Sequence, residues 1–457
     1  MSIEQLTTAA LGRRKLLSGI GLGLGAFALA GCSGPSTDSS NSSSTSADPN
    51  GPDFNDVEPA KSITFWSNHP GGSEAVTKKI IEKFTASSGI EVKLVTAGST
   101  YEDVAQKFQS AQAGGQLPDM VNLSDVWWFR YLLQDSIIPL GNVLKAAGVK
   151  TDDYRESLLA DYQYKGSQWC VPWARSTPIF YYNKEHWKKA GLPDRAPSTW
   201  EEFDSWTSKL KSANTGAQHV YEYPALADYA GWTLQNVLWG FGGGWGSSEN
   251  FDITCDSPES VKALKFVQDS VYSKGWAGVS SKESTDDLAA GACSATIGST
   301  GSLVGVQKAA KFGVGVGNLP GGPAASTKIC PTGGCGLGIV KKSDKAHQLA
   351  AAKFIGFLTN PRSTVDFSAV TGYMPVRKSA DTSKLLKDDP LIGTAIKQLD
   401  VTKIQSYARV FLPGADQEMA KAVSKILTQK ADVDATMKQL RTTLQKIYDS
   451  QVKPKLH

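Results

Sequence analysis

From residue 61 onward, short apolar runs alternate with stretches of helical period. The run "SITFWSN" at 62–68 predicts a strand, and in "SEAVTKKIIEKFTASSG" at 73–89 Val76, Ile80, Ile81 and Phe84 fall on one face of a helix that Gly89 stops. A second strand follows in "IEVKLVTA" at 90–97, then a helix from about Asp103, a glycine stop, and a buried strand from Met120 to Leu123. The cycle resumes after "WCVPWARSTP" at 169–178. There the aromatic run "IFYYN" predicts a strand and "KEHWKKAG" a helix, followed by "STWEEFDSWTSKLKSAN" at 198–214, where Ser198 or Thr199 can cap and Glu201 and Glu202 sit in the favourable first turn. Further on come a helix after 262, a polar stretch, a strand in "FGVGVGNLP", and a glycine-rich segment leading to "GLGIV". A helix at "KAHQLAAAKFIGFLTN", ended by Pro361, and a mostly helical region at 384–450 complete the pattern. Strands and helices alternating at this spacing predict an α/β protein with mostly parallel sheets, and 457 residues are too many for one compact core, so two lobes are expected.

The first sixty residues break this pattern. "GRRKLLSGIGLGLGAFALAGC" joins a basic head at Arg13, Arg14 and Lys15 to an apolar stretch, which is the layout of an export signal. It ends in "LAGC", so Cys32 is the candidate for lipidation at the end of a signal peptide spanning 1–32, and the apolar run is short for a transmembrane anchor. The arginine pair resembles a twin-arginine signal. Residues 33–60, beginning "SGPSTDSSNSSSTSADPNGPD", hold few apolar side chains and read as a flexible tether. Lipid and tether place the body at the outer face of a membrane.

Charge and cysteine content narrow the partners. Lysine and arginine number 48 against 44 acidic residues, a net +4, too slight for a nucleic-acid or membrane-surface footprint. Beyond Cys32 the cysteines are Cys170, Cys255, Cys293, Cys330 and Cys335, an odd set in an oxidising compartment. Disulfides are expected there, with buried free thiols as the alternative. No C-x-x-C occurs and the histidines His69, His186, His219, His347 and His457 are scattered, so no metal site and no cofactor are expected.

Catalytic motifs are missing. "GVGVG" at 313–317 and "GGCGLG" at 333–338 carry neither the phosphate-loop pattern nor the dinucleotide fingerprint, and there is no G-x-S-x-G or H-E-x-x-H. The neighbouring acids Asp152 with Asp153 and Asp286 with Asp287 point apart on any regular element and read as solvated faces. More informative are small polar and amphipathic aromatic residues in loops after strands, where open α/β sheets place ligands: Tyr101, Asp125, Ser176, Trp232, Thr300, Gly333, Gly334 and Tyr373. Twelve tryptophans add to this picture, since loop aromatics often wall small-molecule sites.

At this point the body resembles a known family. From about Ser62 to Lys446 the chain is similar to the extracellular solute-binding proteins of ABC importers, the two-lobed family that includes maltose-binding protein. The block "STPIFYYNKEHWKKAGLPDRAPSTWEEF" is the most diagnostic. The blocks "SKESTDDLAAGACSATIGSTGSL", "AKFGVGVGNLP", "TGGCGLGIV", "TGYMPVRKSA" and "YARVFLPG" resemble the branch that binds glycerol-3-phosphate and glycerophosphodiesters such as glycerophosphocholine. The resemblance implies a type II periplasmic-binding-protein fold. Lobe 1 would be 61–172 plus 319–362 and lobe 2 175–316 plus 375–450, with hinge segments near 172–177, 314–320 and 360–375.

It also implies ligand contacts at Tyr101, Asp125, Ser176, Tyr229, Trp232, Ser299, Thr300, Ser302, Gly334, Tyr373 and Arg409. Arg409 would grip phosphate oxygens with its planar fork, and Trp232 would stack on the ligand or on a quaternary ammonium. The branch pattern has a glutamate at Asp125 and a second tryptophan at Tyr229; the smaller residues here leave room for a head group, which favours glycerophosphocholine over glycerol-3-phosphate. Disulfides joining Cys255 to Cys293, and Cys170 to Cys330 or Cys335, are the expected pairings. The resemblance implies a monomer that breaks no bond in its ligand and serves a membrane permease driven by an ATPase, with no nucleic-acid partner. A sugar or amino-sugar ligand, a secreted glycerophosphodiester hydrolase and a surface adhesin are the alternatives.

Overall fold

The structure of the protein, a computed structural model, describes residues 48–456 apart from Pro70 and Ala225, and the side chains of 227–229 are also outside the described residues. Cys32, the signal segment 1–32 and residues 33–47 of the expected tether therefore lie outside the described residues, as does the side chain of Tyr229.

Ten strands build two five-stranded sheets. They are β1 (Ser62–Ser67), β2 (Glu91–Thr96), β3 (Met120–Ser124), β4 (Val171–Ser176), β5 (Pro178–Asn183), β6 (His219–Tyr223), β7 (Ala277–Val279), β8 (Cys293–Ser299), β9 (Val314–Gly317) and β10 (Gly333–Ile339). The first sheet has the order β2-β1-β3-β10-β4 and the second β9-β5-β8-β6-β7. In the first, β1 pairs in parallel with β2 and β3, and β10 runs against both β3 and β4. In the second, β6 is parallel to β7 and β8, and β5 runs against β8 and β9. The reversed strands, β5 and β10, are those the chain enters directly from the other sheet. A chain that crosses without a helix arrives against strands that βαβ connections have laid parallel.

Helices cover both sheets, and every residue of β3, β4 and β5 is buried, as sheets enclosed on both faces require. The first sheet packs Phe65, Ile80, Phe84, Leu337 and Phe354 into one core. Around the second sheet the core is aromatic, with Phe180, Trp187, Trp200, Phe203, Tyr221 and Trp276 in contact. Most tryptophans are thus core residues: Trp128, Trp187, Trp200, Trp245 and Trp276 are among the largest fully buried side chains.

Local signals explain several boundaries. Thr199 caps the helix Trp200–Ser212, accepting from Glu202 N at 3.1 Å. The helix expected from about Asp103 begins at Tyr101, because Thr100 and Asp103 close a capping box in which Asp103 is the third helical residue. Pro361 does more than end a helix. It opens the next, Pro361–Thr371, behind the Asn360 cap, where a missing N–H costs nothing.

Two expectations meet a different structure. Residues 48–60, expected as tether, lie against the body: Phe54 is buried in the first core, Asn142 Nδ2 donates to Gly51 O at 2.8 Å, and Ala60 N donates to Ala346 O at 2.9 Å. The expected disulfides are not formed, and Cys170, Cys255, Cys293, Cys330 and Cys335 are all buried free thiols. Cys255 and Cys293 belong to different hydrophobic clusters. Cys335 and Cys170 lie on opposite faces of the first sheet. Cys170 approaches Gly336 and Gly338 of β10, whose side-chain positions alternate with that of Cys335. The Cys330 thiol faces the carbonyls of Pro178 and Pro331 instead. Burial pushes the Cys255 thiol up to about 12 and that of Cys335 up to about 11, so neither is a thiolate at neutral pH.

Candidate functional site

The chain passes from the first sheet to the second through a single residue. β4 ends at Ser176 and β5 begins at Pro178, with Thr177 between them. Thr300 N donates to Thr177 O at 2.9 Å, and Gln398 Nε2 donates to Thr177 Oγ1 at 2.9 Å, so the crossing is fixed from both its backbone and its side chain. The return crossing runs from β9 to β10, and its end is shaped by two glycines. At Gly333 an added Cβ would stand 2.5 Å from the Trp232 ring, and at Gly334, with φ +89°, one would stand 2.0 Å from Ala174 O. Only glycine lets the backbone come this close to the indole and to β4.

These crossings border a cavity of about 470 Å³ lined from both lobes. Tyr101, Asp125, Ser176, Trp232, Ser299, Ser302, Gly334, Tyr373 and Arg409 all line it. Thr300 does not. It is fully buried and its Oγ1 accepts from Thr177 N at 3.3 Å, which makes it a strut of the crossing and leaves Ser299, Gly301 and Ser302 to face the cavity.

The wall from the first lobe is aromatic. His69 stands edge-on to Trp173 at 5.1 Å and to Tyr373 at 5.5 Å, and Tyr373 stacks on Phe367 at 5.8 Å. Burial lowers the His69 pKa to about 4, so the ring is neutral at physiological pH. Trp232 faces it from the second lobe, its indole N–H donating to Thr332 O at 2.9 Å. Ser124, at the end of β3, has a buried hydroxyl with no hydrogen-bond partner.

Charge is concentrated at the cavity floor. Arg409 is 4% exposed; its Nε donates to Asp416 Oδ1 at 2.8 Å and its Nη1 to Asp125 Oδ2 at 3.0 Å. Burial disfavours this cation, but Asp416 and Asp125 outweigh it and hold the pKa above the ordinary value. A guanidinium already occupied at Nε and Nη1 cannot offer its whole fork to a phosphate, as the sequence led us to expect; Nη2 remains for that purpose. Among the described lining residues Arg409 is the single lysine or arginine, and it is accompanied by Asp125, Asp416, Glu102 and Glu283. Glu102 accepts from Gln417 Nε2 at 2.7 Å, a second polar contact between elements of the two lobes.

Comparison with known proteins agrees with this architecture. The family of bacterial extracellular solute-binding proteins matches residues 79–394. The chain belongs to that family. Among relatives of this solute-binding protein, the sn-glycerol-3-phosphate-binding periplasmic protein UgpB of Escherichia coli K12 is 28% identical over 358 residues, which is 74% of this chain and 80% of UgpB. The crystal structure of UgpB from Mycobacterium tuberculosis in complex with glycerophosphocholine is 42% identical, with a TM-score of 0.81 over 85% of this chain and 99% of that one. Maltose-bound MalE3 of Thermotoga maritima shares the fold, with a TM-score of 0.74 at 23% identity over 84% of this chain and 99% of its own. The fold is therefore the two-lobed type II periplasmic-binding-protein fold, and the family is one of solute-binding proteins.

Sequence reasoning missed several lining residues of this solute-binding protein. His69 and Trp127 each follow the end of a strand, so the loop-after-strand rule that selected Asp125 reaches them too. Asp416 and Gln417 lie in the first turn of the helix Ala415–Thr428, behind Gly414. No local motif marks them, because their place at the cavity follows from packing between distant segments.

Proposed function

We propose that this protein captures a glycerophosphodiester with a cationic head group, glycerophosphocholine being the best fit, and hands it to the permease of an ABC importer. The observation that carries this reading is the charge inventory of the cavity, one guanidinium among four carboxylates, beside an aromatic wall. Such a cavity disfavours a dianion such as glycerol-3-phosphate, whose charge would meet Asp125 and Asp416 at the same place that offers Arg409. A zwitterion suits it. Arg409 Nη2 and the hydroxyls near 299–302 serve the phosphodiester, while Trp232, Tyr373 and the acidic groups serve a quaternary ammonium. A desolvated cation–π contact contributes up to ~2 kcal/mol. The complex of the Mycobacterium tuberculosis relative supports the same ligand class.

Ligand contacts on both lobes favour the closed form, and closure is the signal a permease reads. The hinge comprises the Thr177 crossing, the passage between β9 and β10, and a third passage after Ser379, which is still held to Asp153 of the first lobe by bonds of 3.0 and 2.7 Å. On this reading lobe 1 takes most of 61–172 and 319–379, and lobe 2 most of 178–317 and the C-terminal helices. Cys32 would tether the monomer to the outer face of the membrane after export, by a twin-arginine route on the strength of Arg13 and Arg14.

Titration calorimetry with glycerophosphocholine, glycerol-3-phosphate and maltose tests the ligand. Glycerophosphocholine is expected to bind tightest and maltose not at all. Tighter binding of glycerol-3-phosphate overturns the head-group argument, and tighter binding of maltose the anionic one.

A further inference from the structure

Beneath the cavity floor lies a side chain that touches none of its open space. Gln405 is 2% exposed and sits between the short strand Thr402–Lys403 and the helix Tyr407–Val410. Its Nε2 donates to Asp125 Oδ2 at 2.6 Å and to Thr332 O at 3.0 Å. Its Oε1 accepts from Gln235 Nε2 at 3.0 Å and from Arg409 Nη1. Both amide protons and both carbonyl lone pairs are thereby used, each in one possible direction.

We propose that Gln405 is a positioning residue of the ligand site, whose amide holds Asp125 of the first lobe and Arg409 of the second at fixed separation. The inference rests on the reading that Asp125 and Arg409 serve the ligand. A carboxylate and a guanidinium make opposite demands on a neighbour, one needing a donor and the other an acceptor. A neutral primary amide meets both at once and adds no charge to a floor that already holds three. Glutamate has the right length but offers no donor, so it would face Asp125 as a like charge; methionine has the right length and offers neither.

The test is a double-mutant cycle on glycerophosphocholine affinity, with thermal unfolding as the folding control. With Asp125 in place, Gln405→Glu is expected to weaken binding at least tenfold. In the Asp125→Asn background the new amide at 125 can donate to the new carboxylate at 405, which still accepts from Arg409. There Gln405→Glu is expected to be neutral or favourable. Equal losses in both backgrounds reduce Gln405 to packing and overturn the inference. Gln405→Met, near-isosteric and uncharged, guards against a misfolded glutamate variant: it should lose affinity at least fivefold with a melting temperature close to that of the parent, and parental affinity in the folded variant also overturns the inference. The same cycle is read without ligand by energy transfer between fluorophores on the two lobes. Gln405→Glu should lengthen the distance only when residue 125 is Asp, and no lengthening counts against Gln405. Absence of glycerophosphocholine binding by the parent protein defeats the ligand reading, and the ligand-free arm then decides on Gln405 by itself.

Discussion

Three of the described arginines, Arg175, Arg377 and Arg409, are buried almost completely, and the first and last of them live in opposite circumstances. Arg175, on β4, is fully inaccessible; it pairs with Asp161, donates to Tyr162 Oη at 2.6 Å, and stands over the Tyr162 ring at 5.0 Å. Asp161 also accepts from Thr332 Oγ1 at 2.5 Å, so this pair joins the first crossing strand to the segment entering β10. Arg409 is nearly as buried but lies on the cavity, with two carboxylates where Arg175 has one. The first arrangement closes its charges on each other and faces no solvent or ligand. The second leaves an excess of negative charge beside a guanidinium that lines the cavity. Burial alone therefore does not separate a structural arginine from one proposed to bind ligand; the balance of partners does.

The sharpest way to break this contrast is to remove each arginine in turn. Arg175→Met leaves Asp161 buried without its cation, and loss of one partner of such a pair costs about 3–5 kcal/mol. A large fall in the urea midpoint is expected, with ligand affinity of the folded fraction little changed; a midpoint like that of the parent would show that the pair is dispensable. Adding Asp161→Asn should restore part of the loss, since the stranded charge goes with it. Arg409→Gln is expected to do the reverse. Truncating one side of a buried, hydrogen-bonded charge costs about 2–5 kcal/mol of affinity, about thirtyfold or more, against a smaller change in stability. Calorimetric binding of glycerophosphocholine by this variant at parental strength would place Arg409 with Arg175 as a structural group.

The comparison also marks what the sequence could tell. Periodicity located β1, β2, β3, β5, β9, β10 and several of the longer helices, because the apolar faces of Val76, Ile80, Ile81 and Phe84, or the unbroken run at β3, are local properties of the chain, but it did not reach β4, β6, β7 or β8. The loop-after-strand argument and the family resemblance reached Tyr101, Asp125, Trp232, Tyr373 and Arg409, which line one cavity. What stayed hidden was pairing at a distance. Nothing near residue 409 indicates that Asp416 and Asp125 will occupy its guanidinium, since Asp125 comes from another lobe. Disulfides were expected from cysteine count and compartment, which are global properties, whereas Cys170 and Cys335 are kept apart by the face of β10 on which each falls. Asp287, expected on a solvated face, is half-buried and accepts from Ser280 Oγ.

A milder change separates the aromatic wall from the charged floor. Trp232→Ala removes the stacking face and the donor to Thr332 O, and about 1–2 kcal/mol of affinity for a quaternary ammonium should go with them. Trp232→Phe keeps a π face and should lose less, whereas glycerol-3-phosphate, lacking the ammonium, should hardly distinguish the three proteins. Equal losses for both ligands would mean that the indole shapes the cavity without sensing a cation.

The smallest effect concerns a third buried charge centre, one that has carboxyls and no arginine. Glu222, on β6, is 5% exposed; burial, followed by the neighbouring carboxyl of Asp287, raises its pKa to about 7. An acid whose folded pKa lies above its unfolded value holds its proton longer in the native state. Between about pH 4.5 and 7 the folded protein therefore binds more protons than the unfolded chain, and stability from this group falls as pH rises through that window. His69 acts in the opposite sense. Its depressed pKa of about 4 means that stability is lost as pH falls below the unfolded value near 6.5, so the parent protein's own profile mixes the two. The difference between parent and Glu222→Gln isolates the first. Melting temperatures taken from pH 5 to pH 8 should shift by a few degrees in favour of the variant as pH rises, since glutamine cannot ionise beside Asp287. A constant gap across that range would mean that Glu222 keeps an ordinary carboxyl pKa. Buried carboxyls without a cation would then be as quiet here as the closed pair at Arg175.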